Sequence, residues 1–172
     1  MKEKDKTALF NQIYSENKEL IFRLCRSFLG PGHDTEDLFQ EIFLKVWDKL
    51  ESFRGQSQIS TWIYRIGTNT ALLYRKRTTR RKDKELITGT DYTQRMVTDS
   101  SGLEEKVVHH QQFNELLSLI SSMDEMDRII ITMLLEGFSY KEIAEVSGLK
   151  VNNVGVKISR IKKQLKKKIK VT

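Results

Sequence analysis

Pro31 is the only proline among 172 residues, and on both sides of it apolar residues recur at helical spacing over most of the chain. Proline breaks a helix interior by removing a donor and clashing with the preceding turn, so its near absence leaves long helices open. Phe10, Ile13, Tyr14, Ile21, Leu24, Cys25 and Phe28 share one face of a helix over residues 7–29, which Gly30-Pro31-Gly32 stops. Asp34 or Thr35 is placed to cap the next helix, and Glu36 and Asp37 suit the positive end of its dipole. Leu38, Phe39, Ile42, Phe43, Val46, Trp47 and Leu50 give that helix a broad apolar face. The pattern breaks over Phe53-Arg54-Gly55-Gln56-Ser57, then resumes with Ile59, Trp62, Ile63 and Ile66 and runs to about Arg77. The expectation is an all-α fold. Apolar residues at 38% and charged residues at 31% suit helices with long solvated faces better than a sandwich or barrel.

Residues 78–112 differ in kind. They contain Gly89, Gly102 and a Ser-Ser pair, their six basic and six acidic residues cancel, and no apolar period holds. A flexible linker is expected there, with helix nucleating near Leu103. Periodicity returns at Phe113, Leu116, Leu117 and Ile120, so the chain divides into a helical domain over residues 1–77, a linker over 78–112 and a second helical domain over 113–172.

The sharpest local signal lies in Phe138–Leu149. Ser139 can cap a helix, and Glu142 three residues on completes a capping box. Ile143 and Val146 face inward, Ala144 permits a close second helix, Gly148 supplies a turn and Leu149 plugs the core. Val154, Ile158, Ile161, Leu165 and Ile169 then form one stripe. This is the grammar of a helix-turn-helix whose second helix enters the major groove. From Val146 to Thr172 there are nine lysines and arginines and no acidic residue. Asn152, Asn153, Val156 and Lys157 start the exposed side of the reading helix, and Lys157, Arg160 and Lys163 suit phosphates.

A formal net charge of +7 calls for an anionic partner. The polar N-terminus has no signal-peptide core, and the longest apolar run, Ile129–Leu135, is far short of a bilayer span, so no membrane insertion and a cytoplasmic location are expected. One cysteine excludes an intrachain disulfide and a cysteine-based zinc site. His33, His109 and His110 lack companions for a metal site, and no nucleophile elbow or phosphate-binding glycine loop occurs, so the expectation is a non-enzyme without cofactor or metal.

The stretch Asp34-Thr35-Glu36-Asp37-Leu38-Phe39-Gln40-Glu41-Ile42-Phe43-Leu44-Lys45-Val46-Trp47, with Phe53-Arg54-Gly55, Thr61-Trp62-Ile63-Tyr64-Arg65-Ile66 and Asn69, resembles region 2 of the sigma-70 family. Met123–Leu165 resembles region 4. The small size and the lack of a third domain resemble the extracytoplasmic-function group. The resemblance implies a sigma factor that binds core RNA polymerase and promoter DNA, both as duplex and as melted strand. It implies polymerase docking through Asp37, Gln40 and Glu41. It implies recognition and opening of the minus-ten element by Phe53, Arg54, Trp62, Tyr64, Arg65, Asn69, Arg75, Lys76 and Arg77. Duplex reading at the minus-thirty-five element falls to Asn152, Asn153, Val156, Lys157, Arg160 and Lys163. An anti-sigma factor, often membrane-anchored, is a further implied partner. The sequence departs from the family's pattern at Ser122-Met123, where Leu-Pro is frequent, at Gly155, where lysine is frequent, and at Leu73, where a polar residue is frequent.

The competing reading is a conventional helix-turn-helix regulator, acting as a dimer on a palindrome and needing no polymerase-docking helix. A helical adaptor that sequesters another protein leaves the basic C-terminus unexplained.

Overall fold

The computed structural model describes residues 3–30, 32–88, 116 and 118–169. Helix α1 spans Glu3–Leu29, α2 His33–Lys49 and α3 Ile59–Thr88, with a 3-10 turn at Leu50–Ser52 between α2 and α3. In the C-terminal part, α4 spans Glu125–Leu135, α5 Tyr140–Ser147 and α6 Val151–Ile169, and residues 118–121 are also helical. The fold among the described residues is all-α, as expected. Leu103, Phe113, Leu117 and the His109-His110 pair lie outside the described residues.

Three boundaries differ from the expected ones. Glu3 and Asp5 add a further turn to the start of α1, where acidic side chains favour the dipole. Neither Asp34 nor Thr35 caps α2: the N-cap is Gly32, at φ 140°, and Thr35 lies inside the first turn with its hydroxyl donating to the Gly30 carbonyl at 2.5 Å. Helix α3 continues past Arg77 to Thr88, because no glycine or proline interrupts residues 68–88.

Helices α1, α2 and α3 form one bundle. Ile21, Leu24 and Cys25 of α1, Leu38, Ile42 and Val46 of α2, and Ile63 and Ala71 of α3 are fully buried. Each large aliphatic side chain taken out of water contributes about 1.5–3 kcal/mol. At Gly67 the axis of α3 comes so near α1 that a Cβ there would lie 2.7 Å from Leu24 Cδ2, inside van der Waals contact. Burial of Cys25 pushes its thiol up to about 12, which leaves it protonated and unreactive at neutral pH.

The C-terminal unit packs α4, α5 and α6 together. Asp124 caps α4 by accepting from the Asp127 amide at 2.9 Å, so this helix starts cleanly without the frequent Leu-Pro. The capping box of α5 is formed on both sides: the Glu142 amide donates to Ser139 Oγ at 3.3 Å, and the Ser139 amide donates to Glu142 Oε2 at 2.8 Å. Hydrogen bonds from the Ser139 hydroxyl and backbone hold the Glu142 carboxyl below its ordinary range. Gly148 takes the left-handed conformation, φ 73°, that the sharp turn into α6 requires. Val154, Ile158 and Ile161 of the expected stripe are buried beneath that turn.

Arg128 has no surface exposure at all. Its guanidinium donates to the carbonyls of Ile120, Ser121 and Met123 at 3.3, 2.5 and 2.7 Å, closing the end of the helical segment before α4. Its Nη1 is buried with no hydrogen-bond partner, and desolvation lowers its pKa to about 10, still leaving it charged at neutral pH. The guanidinium also lies 5.2 Å from the ring centre of Phe28 in α1, so the two units touch there.

Candidate nucleic-acid interface

The reading helix α6 presents its polar side to solvent. Asn152, Asn153, Arg160 and Lys163 are exposed, and Val156, 62% exposed, offers an apolar surface of the kind that can meet a thymine methyl. Lys157 differs from the expected free phosphate contact: it forms an ion pair with Asp127 of α4. The cause is its position one turn from the buried Val154 and Ile161, at the border of the buried stripe, which puts it within reach of the first turn of α4. Gly155 faces Tyr140 of α5, with 3.6 Å between a would-be Cβ and the ring, an ordinary contact. Gly155→Ala is therefore expected to stabilise the domain by up to about 1 kcal/mol through helix propensity. Chemical denaturation measures this; a loss of stability would show that the site needs glycine for another reason.

Among the residues expected at the minus-ten element, Phe53 and Trp62 pack with ring centres 5.1 Å apart, and Trp62 is buried. This pair anchors the 53–58 loop and leaves Arg54 exposed beside Gly55, at φ 68°. Asn69, Lys76 and Arg77 are exposed on α3, and Arg75 is half-buried. Tyr64 is among the residues expected at the minus-ten element. It is fully buried, its ring 5.0 Å from that of Phe138, and burial raises its pKa well above the ordinary value. In this arrangement no base can reach it. Arg65 lies 3.5 Å from Glu145 of α5.

On α2, Asp37 and Gln40 are exposed, whereas Glu41 is engaged within the chain. Arg77 donates to both its oxygens at 2.9 and 2.7 Å, and Lys45 donates at 2.8 Å. Partial burial pushes the Glu41 carboxyl up, but the bonds from Lys45 and Arg77 outweigh it and hold the pKa below the ordinary range. Leu44, not among the residues expected from the sequence to dock polymerase, is 66% exposed and one turn beyond Gln40 on the same face. Its signal was present: an apolar residue outside the helix's buried stripe.

Together these are a helix-turn-helix with an open reading edge and a three-helix bundle carrying a basic α3. Two family models match the chain: Sigma-70 region 2 over residues 13–81 and Sigma-70, region 4 over residues 113–165. The ECF RNA polymerase sigma-E factor of Haemophilus influenzae is 32% identical, over 96% of this chain and 89% of its own. The ECF RNA polymerase sigma factor SigW of Bacillus subtilis is 30% identical, over 93% and 88%. Among solved structures, CnrH in complex with the cytosolic domain of CnrY superposes with a TM-score of 0.70 at 22% identity, covering 96% of this chain and 90% of that one. The sigma factor RpoE of Bartonella quintana, in complex with the anti-sigma factor NepR, gives 0.70 at 21% identity, covering 94% and 97%. The chain belongs to the extracytoplasmic-function group of the sigma-70 family of RNA polymerase sigma factors. Among the described residues no helix is long and apolar enough to cross a membrane.

Proposed function

We propose that this sigma factor docks on core RNA polymerase through the Asp37-Gln40-Glu41-Leu44 face of α2, reads the upstream promoter element as duplex through α6, and traps the opened downstream element on α3 and the 53–58 loop. It acts by binding alone and catalyses no reaction of its own. The observation that carries the reading is the pairing, in one chain, of an open base-reading edge on α6 with a basic, aromatic-anchored surface on α3. Phosphate contacts position such a protein and base contacts specify the site; melted bases need surfaces that replace lost stacking. A conventional dimeric regulator has no use for α2 and α3 arranged in this way.

The reading also supplies the compartment and a further partner. A protein that serves core polymerase works in the cytoplasm. The anti-sigma complexes of its structural neighbours support a similar inhibitor here, which can hold it at a membrane.

The division of labour gives a direct test. Arg54→Ala and Asn69→Ala are expected to leave duplex binding by the holoenzyme near normal while lowering permanganate reactivity of the opened strand about tenfold or more, the loss of one to two base or phosphate contacts. Asn153→Ala is expected to do the reverse, weakening duplex binding first. Equal defects at both steps in all three variants would contradict the assignment.

A further inference from the structure

Helix α6 buries Val154, Ile158, Ile161 and Leu165, and the ridge opposite that stripe is the part that goes deepest into a groove. At about 100° per residue, Asn152, Val156, Ser159 and Lys163 fall within about 60° of one another, about 160° from the centre of the buried stripe. All four are exposed. Asn153 and Arg160 lie about 80° to one side of the ridge, and Lys157, at the border of the core, is held by Asp127. Gly155, on the other flank, carries no side chain and has the Tyr140 ring beside it.

The ridge differs in chemistry from the rest of its helix. Every charged residue from Val146 to Thr172 is basic, yet the ridge opens with an amide, an isopropyl group and a hydroxyl, and reaches its first cation only at Lys163. Guanine is read in the major groove by arginine or lysine, whose donors meet O6 and N7. No such side chain stands on the ridge ahead of Lys163. An asparagine amide pairs instead with adenine, accepting from N6 and donating to N7. Val156 is 62% exposed, and the apolar group that a base edge presents to it is the C5-methyl of thymine. A serine hydroxyl bonds to either base pair. Asn152 and Val156 stand four residues apart, about 6 Å along the axis, close to the rise of two base pairs at about 3.4 Å each.

We propose that α6 selects an A·T-containing core of the upstream element, with Asn152 on an adenine and Val156 on the methyl of a thymine about two base pairs away. These two uncharged side chains, and not the many cations of the helix, set its sequence preference. Arg160, from the side of the ridge, holds a backbone phosphate and fixes the register without choosing the sequence. The proposal rests on the reading that α6 enters duplex DNA.

The test uses the holoenzyme, full-length protein with core RNA polymerase, and promoter duplexes randomised over the upstream element. The selected element is expected to carry an adenine and a thymine about two positions apart. Uracil in place of that thymine removes one methyl group, and should weaken wild-type binding about fourfold. With Val156→Ala the same change should cost less than about twofold. A deaza-adenine lacking N7 is expected to weaken wild-type binding about fivefold or more, and to leave Asn152→Ala nearly unaffected. Arg160→Ala should weaken binding to all sequences alike and lower the salt slope by about 1, a slope that Val156→Ala and Asn152→Ala leave unchanged. A selected element in which every thymine tolerates uracil, or a uracil penalty that persists in Val156→Ala, overturns the proposal and leaves α6 as the reading helix. A library that returns no upstream element at all removes the reading of α6 itself, and the proposal with it.

Discussion

Replacement of Arg128 by methionine is expected to destabilise the protein by about 3 kcal/mol, lowering the melting temperature by about 6–12 °C for a chain of this size. Methionine preserves much of the volume and relieves both the buried charge and the unpartnered Nη1, which favours the variant. Against this stand the hydrogen bonds to the carbonyls of Ile120, Ser121 and Met123, each from a charged donor and each contributing about 1.5–3 kcal/mol. Three such losses exceed the relief. Lysine should recover only part, since an ammonium cannot fork across three carbonyls as a planar guanidinium does. Calorimetry on the three proteins checks the order Arg above Lys above Met. A methionine variant within about 2 °C of wild type would show that these bonds do not hold the turn before α4.

The second large effect concerns polymerase docking. Leu44→Asp is expected to weaken binding to core polymerase by about 30-fold or more, the loss of an apolar anchor of 2 kcal/mol or above at the centre of an interface. The fold should be unaffected, because Leu44 is 66% exposed and makes no core contact that aspartate would disturb. Glu41→Gln should cost less, since that carboxylate is already engaged by Arg77 and Lys45. Competition for fluorescently labelled core polymerase measures both. Normal docking by the Leu44 variant would move the contact to another face of the bundle.

Much of the fold was legible because it is written in local patterns. The Ser139–Glu142 capping box, the left-handed Gly148 and the Val154–Ile158–Ile161 stripe are all set by residues within a few positions of one another. Cys25 read as core, and it is. What escaped depends on partners far away in sequence. Tyr64 meets Phe138 and Arg23 meets Glu136, pairs 74 and 113 residues apart that leave no periodic trace. Lys157 looked like one more solvated cation in a basic helix; only its proximity to Asp127, thirty residues earlier, shows otherwise. Arg128 immediately precedes the apolar segment Ile129–Leu135, and nothing local says that three carbonyls converge on it. The extent of α3 could have been read more boldly, for charged residues without glycine or proline extend a helix as readily as they form a linker.

The same distinction separates family assignment from site assignment. Region 2 and region 4 are recognised through their buried frameworks, which local pattern fixes. Which exposed residues touch DNA depends on the arrangement of the two units. Here that arrangement buries Tyr64 and engages Arg65 through residues of the other unit.

Run-off transcription from a promoter library, with core RNA polymerase in the presence and absence of this protein, tests the central claim most directly. The account predicts transcripts from defined start sites only when the protein is present, with shared upstream and downstream elements when those promoters are aligned. Core polymerase that stays silent, while the protein binds duplex DNA as a dimer, would contradict it.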